Sequence, residues 1–416
     1  MKKLLVFVLL TAAVFQFKTV FAQAPDQVKI NLPVGFTSEV IAKDLDRARH
    51  AVVNSNGDIY IKLARVRNGG AIVRLRDKNG DGKIDDTSRF GTYGGTGIAI
   101  KNGYLYASSN SEVYRYKLTD NGPDTANRET IITGLLDQRT HNSKSIALDN
   151  NGNIYVNIGA PSNVCQAQDR VMGAPGQDPC PLLTIAGGIW QFKADRLNQK
   201  FEDGIRYATG LRNVVGLDWN NATNTLFVTQ HGRDGLQDYR LFPDSISVDI
   251  PAEEMMEVTK AGEDFGWPYC FYNQYINKKV VNPEYGGDAK TVGRCENVKM
   301  PVVAFPGHMA PNAMLFYSGT QFPEKYRNGA FVAFHGSWNR TPLEQKGYFV
   351  AFVPFKNGKP SGDWEMFATG FAGREKVTSP NQAIFRPCGL AQGPDGSLYV
   401  TDDVKGYVWK ISFTGK

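Results

Sequence analysis

Six copies of one short phrase run through this chain: a few apolar residues, a polar turn, then an apolar strand centred on Tyr or Phe. Four copies are close: AVVNSNGDIYI from Ala51, GIAIKNGYLYA from Gly97, SIALDNNGNIYV from Ser145 and GLAQGPDGSLYV from Gly389. Two are looser, GLDWNNATNTLFV from Gly216 and AMLFYSGTQFPEKYRNGAFVA from Ala313. Asn-Gly or Asp-Gly between apolar runs is a strong short-range signal for a β-hairpin. Hairpins repeated at intervals of several tens of residues predict an all-β protein, a six-bladed β-propeller with four-stranded antiparallel blades. A ring of that kind gathers residues from distant parts of the chain around one axis.

The first residues, MKKLLVFVLLTAAVF, pair a short basic segment with an apolar stretch, and Val20-Phe21-Ala22 offers a small-residue cleavage site. Residues 1–22 therefore read as a secretory signal peptide, with the propeller as one catalytic domain over 25–416, and the expected location is periplasmic or secreted. The five cysteines suit an oxidising compartment. Cys165 and Cys180 bracket one Pro/Gly-rich insertion, and Cys270 and Cys295 bracket another. Local pairing is the economical expectation, with Cys388 left as a free thiol, although spacing alone leaves the connectivity open. The net charge of +6 is modest, and no basic run or aromatic–basic alternation suggests a nucleic-acid partner. No apolar stretch after the signal is long enough to span a membrane.

The hairpins also have a direction. In an antiparallel pair the start of the first strand and the end of the second lie at one end. His50, His141 and His308 come just before first strands, and His231 and His335 come just after second strands. All five histidines are thus expected on one face, together with Arg212-Asn213, Gly232-Arg233, Trp338-Asn339-Arg340, Arg386 and Asp402-Asp403. Both cysteine-bearing insertions are expected to leave after second strands and to rim the same face. Several arginines converging on one rim call for an anionic partner, because an unpaired buried guanidinium is costly.

Asp77-Lys78-Asn79-Gly80-Asp81-Gly82-Lys83-Ile84-Asp85 resembles the opening of an EF-hand calcium loop. Ser88 stands where the bidentate Glu belongs, so two readings stay open: a structural calcium on Asp77, Asn79, Asp81 and Asp85, or a plain polar turn. Strand counting puts this loop on the face opposite the histidines. A Rossmann fingerprint, a P-loop, H-E-x-x-H and G-x-S-x-G are all missing from the sequence.

In their order along this repeat, LPVGFTSEVIAKDLDRARHAVV, THNSKSIALDNNGNIYVNIGAPSN, GLRN, HGRDGL, EDFGWP, HGSWNR and RPCGLA followed by TDD resemble the soluble quinoprotein sugar dehydrogenases. This glucose/sorbosone dehydrogenase family uses pyrroloquinoline quinone (PQQ), and the sorbosone-dehydrogenase-like branch is the better match. The resemblance runs from about Leu32 to the C-terminus. It implies a PQQ- and calcium-dependent oxidoreductase taking an aldose, or a related sugar or sugar aldehyde, to the lactone or acid. Electrons would pass to an external acceptor: a quinone, a cytochrome or a dye. His141 would be the general base and Arg212 would stabilise developing negative charge. Asn213, Arg340, Arg386 and Asp402 would hold the cofactor, to which we add Lys144. The main-chain oxygens of Gly232 and Arg233 would bind the catalytic calcium, and Trp267 and Trp338 would stack on the sugar. Two departures stand out, Ala160 where the family often has an aspartate and Ile384 where it has a second arginine. A calcium-dependent lactonase and a non-enzymatic glycan- or protein-binding propeller are the alternatives.

Overall fold

The computed structural model describes residues 28–415, so the expected signal peptide lies outside the described residues. Six sheets close into the expected propeller, four of them four-stranded and antiparallel and two extended beyond four strands by short added strands. Each sequence repeat forms the two inner strands of a blade, as in Ile98–Lys101 with Tyr104–Ser108, or Pro387–Gln392 with Leu398–Asp402. The turn chemistry explains why: Asn102 and Gly103 both take positive φ, 50° and 76°, the combination a tight primed hairpin turn demands. The first strands of successive blades are neighbours around the axis.

Ring closure comes from the far end of the chain. Phe36–Ala42 pairs antiparallel with Val408–Phe413, so the N-terminal strand becomes the outermost strand of the last blade. Phe36 anchors it through edge-on contacts with Phe322, Tyr326, Phe367 and Phe413. Nothing in the hairpin repeat itself announces that pairing.

Two disulfides form within the insertions, Cys165–Cys180 and Cys270–Cys295, while Cys388 is free and buried. The first insertion leaves after the second strand of its blade, Asn153–Ile158, as expected. The second does not: it leaves after the third strand, Glu253–Val258, at the opposite end of the blade. It still reaches the histidine face, because Glu263–Asp264 runs parallel along Ile205–Thr209, the outer strand of the preceding blade, and carries the chain back up. There the two insertions meet, with the Tyr285 hydroxyl donating to the Val164 carbonyl (2.9 Å) and Arg294 pairing with Asp178 (2.5 Å). Replacing both Cys165 and Cys180 by Ala removes a cross-link over 15 residues. The expected cost is about 3 kcal/mol, read as a lowered midpoint in urea unfolding.

The Asp77 loop joins the third and fourth strands of the first blade, on the face away from the histidines. Its polar oxygens turn inward: Asp77 accepts the Gly80 and Gly82 amides (both 2.7 Å), Asn79 that of Asp81, Asp81 that of Lys83, and Asp85 that of Lys78. Among the described residues no three His, Cys, Asp or Glu side chains converge as a metal site. These bonds satisfy the side-chain oxygens of the loop within the turn itself.

Candidate functional site

All five histidines sit around the axis, and burial lowers the pKa of each. His50 falls to about 4, His231 to about 3 and His308 to about 4, so these rings are neutral at physiological pH. His141 is pushed well below its ordinary value, first by burial and then by the Arg212 cation. Its backbone is left-handed (φ 54°), and Gln138 holds that conformation by donating to the Thr140, His141 and Gly159 carbonyls. Gly159 is required beside it, since a Cβ there would lie 2.7 Å from the His141 carbonyl oxygen.

The Ala160 departure acquires a meaning here. His141 Nδ1 lies 2.6 Å from the Ala160 main-chain oxygen. A carbonyl only accepts, so Nδ1 carries the proton and Nε2 carries the lone pair. A backbone carbonyl therefore fixes the tautomer of His141. It does so without the negative charge an aspartate would bring, which agrees with the lowered pKa. Ile384, the other departure, is packed in the core between the last two blades.

Two hydrogen-bonded networks face the axis. In the first, Arg212 donates to Asp234 (2.7 Å), to the Gly232 carbonyl (2.8 Å) and to the Asn163 carbonyl (3.2 Å). Asp234 also takes Arg170 (2.9 Å) and the Asn339 amide (2.8 Å), and Asn339 in turn reaches His308 Nδ1 (3.2 Å). In the second, Arg49 spans several blades, pairing with Asp403 (2.9 Å) and donating to the Thr96 and Ser143 hydroxyls. Asp403 takes His335 Nε2–H (2.7 Å), and Arg386 donates to the His335 and Gly336 carbonyls. Burial would raise both aspartates. Asp234 is instead held well below the usual carboxylate range by Arg212 and Arg170, and Asp403 by His335 and Arg49. Burial, then Arg212 of the first network, lowers His231, with a smaller contribution from His335 of the second.

Among the remaining sequence expectations, Asn213 lies beside His141, and its side-chain oxygen is buried without a partner. Among the described residues Arg386 forms no ion pair and donates to the carbonyls of His335, Gly336 and Ser337. Asp402 is fully buried and accepts the amides of Arg386, Val404, Lys405 and Gly406, with its carboxyl pushed up to about 7 by burial. Its neighbour Asp403, in the turn just past the strand, is the one that joins the axial network, through Arg49 and His335. The buried Arg340 guanidinium is spent on Asp249 (2.7 Å) and on carbonyls of Val248, Gly307 and Glu344. Arg233 points away into the second insertion, to Glu284 (2.5 Å), leaving only its main chain near the site. Lys144 is fully buried, donates to the Asn142 carbonyl and is lowered to about 8 by burial. Trp267 is buried against the Cys165–Cys180 bridge, with its indole N–H on the Asn163 carbonyl (2.8 Å). Trp338 is 57% exposed at the rim.

Sequence reasoning missed Arg49, Asp234 and Glu253, and it gave the cofactor role to Asp402 rather than to its neighbour Asp403. Arg49 adjoins His50 in DRARH, and Asp234 lies inside HGRDGL, so both had a local signal. Glu253 had none: it is buried and accepts the Gly232 and Ala310 amides, tying two site loops together.

Around the axis, then, three guanidinium groups (Arg49, Arg170 and Arg212) pair with two ionised carboxylates, and a fourth, Arg386, donates to main-chain carbonyls. The site is built to take an anion beside a neutral, oriented imidazole.

A family model described as TrAA12-like matches residues 30–414. A pyrroloquinoline quinone-dependent pyranose dehydrogenase from Coprinopsis cinerea is 25% identical over 345 residues, covering 74% of this chain and 44% of its own length. The chain spans roughly half of the curated relatives it matches, between 44% and 61% of their lengths. The holo form of the PQQ domain of the Coprinopsis cinerea pyranose dehydrogenase superposes with TM-score 0.74 at 20% identity, covering 93% of this chain and 97% of that one. A calcium structure of a Trichoderma reesei family AA12 enzyme superposes equally well, TM-score 0.74 at 19% identity over 95% of this chain and 99% of that one. These two likenesses establish the propeller fold.

Proposed function

Because the chain belongs to the TrAA12-like family, we propose that it is an exported, PQQ- and calcium-dependent dehydrogenase. Its substrate would be an aldose or a related sugar, and it would hand electrons to an external acceptor. The family sets the class of oxidoreductase; the sugar, the cation and the acceptor are our reading. The observation that carries it is the pairing of a tautomer-fixed, neutral His141 with a cationic axis containing an unpartnered Asn213 oxygen.

The residues present suit the cofactor. PQQ carries three carboxylates, and Arg49 and Arg386 offer guanidinium donors that bind carboxylates in a fork. Asn213 has an acceptor to spare. For calcium, the Gly232 oxygen accepts one bond from Arg212 and keeps a second lone pair, and a neutral main-chain oxygen is a ligand type calcium takes. Arg340 and Asp402, whose polar groups are satisfied internally, would then act by shaping the loops around the site. When bound, PQQ supplies the two-electron acceptor and calcium the electrophile beside it. This chain's own part is to bind the sugar with its reacting hydroxyl against His141 Nε2. That nitrogen takes the hydroxyl proton while Arg212 stabilises the negative charge gathering on oxygen.

Reconstitution tests the reading: cofactor-free protein is mixed with PQQ and calcium, and sugar-dependent dye reduction is followed. Dye reduction that needs both additions supports it. No cofactor spectrum and no dye reduction would leave a binding propeller instead.

A further inference from the structure

Between the two disulfide-bearing insertions, next to the axis, lies a cavity of about 240 Å3. Asp234 belongs to both places: it lines this cavity and it holds Arg212 in the axial network. Its lining includes two exposed apolar side chains, Trp338 (57% exposed) and Met172 (53% exposed). It also includes planar polar groups, among them Arg170, Gln237 and Asn339. Two of these are incomplete. Gln237 Oε1 and Asn339 Oδ1 are buried and have no hydrogen-bond partner, whereas Arg170 presents guanidinium N–H groups at the rim. A buried acceptor without a donor is costly, and a ligand hydroxyl would relieve it.

An exposed indole in the same cavity lining as amide and guanidinium groups offers the two kinds of surface a pyranose presents. Its C–H face is apolar, and its rim of hydroxyls needs donors and acceptors in equal measure. We propose that this groove is a second sugar subsite, taking the unit linked to the one being oxidised. The preferred substrate class is then a short oligosaccharide with a free reducing end rather than a monosaccharide. The orientation of the bound chain rests on the dehydrogenase reading; the binding itself does not.

Calorimetric titration of cofactor-free protein tests this, comparing glucose with cellobiose and maltose, and xylose with xylobiose. At least one disaccharide is expected to bind about tenfold tighter than its own monosaccharide, a gain of about 1.4 kcal/mol. Trp338→Ala and Gln237→Ala should each bring that ratio down towards about unity. Thermal melting monitored by circular dichroism checks that both variants are folded. Equal affinity for every pair, a ratio that survives both substitutions, or no binding of any sugar overturns the proposal, because the groove is preformed and needs no cofactor. A clear ratio without PQQ-dependent dye reduction keeps the subsite and removes the dehydrogenase. Dye reduction without a ratio removes the subsite alone.

Discussion

His141→Ala is expected to lower kcat for sugar oxidation by roughly 10²- to 10⁴-fold, the range for losing a positioned general base. Nδ1–H is committed to the Ala160 carbonyl, so Nε2 is the only ring nitrogen that can take a proton. Three of the other four axial histidines commit Nε2 elsewhere, His50 to the Asn312 carbonyl, His231 to the Pro311 carbonyl and His335 to Asp403. The pH dependence has a defined sign. Burial and the Arg212 cation favour the neutral ring, so the competent base persists as pH falls below 6.5, and activity declines only on further acidification through the lowered pKa. A rate profile with its acid limb above about 6.5 contradicts this environment, since that limb requires a raised pKa. Retention of activity within about tenfold in His141→Ala removes the residue from the role of base.

The features legible in the sequence were those set by neighbours in the chain. Asn102-Gly103 needs no partner beyond its hairpin, and the order of strand and turn placed the histidines on one face without any tertiary information. What stayed hidden was set by long-range pairing. Arg49 and Asp403 are 354 residues apart and meet only when the ring closes. In the Asp402-Asp403 pair, composition cannot say which carboxylate joins the axis and which, as Asp402 does, accepts the amides of its own turn. The exit of the second insertion was misplaced for a related reason. Glu253–Val258 carries no turn signal to mark it as a third strand, and the return path depends on pairing with a neighbouring blade. The role of Ala160 was unreadable in principle, because a main-chain oxygen orients His141 and the side-chain identity does not report it. Trp267 illustrates the opposite limit: an aromatic beside a motif reads equally as platform or core, and its packing against a disulfide decides for core.

Arg212→Ala should be damaging twice over, and the two effects can be separated. The guanidinium is nearly inaccessible and pairs with a mostly buried Asp234 (side chains 4% and 15% exposed). Removing it strands a buried carboxylate and leaves the Gly232 carbonyl short of a donor, at a cost of about 3 kcal/mol. Asp234 retains Arg170 and Asn339, which keeps the loss from being larger. If the uncompensated charge is the cause, Arg212→Ala combined with Asp234→Asn will be more stable than Arg212→Ala alone; a double variant that is less stable refutes that account. The catalytic effect is expected at roughly 10²- to 10³-fold in kcat, the size seen when a donor to a developing oxyanion is lost. It should persist in the double variant, where the stability defect is relieved. A third reading ties both to the base. Because the Arg212 cation helps lower the His141 pKa, its removal must raise that pKa and shift the acid limb of the rate profile upward, towards 6.5. An unmoved limb would mean that Arg212 does not act on His141, and that burial alone sets the base.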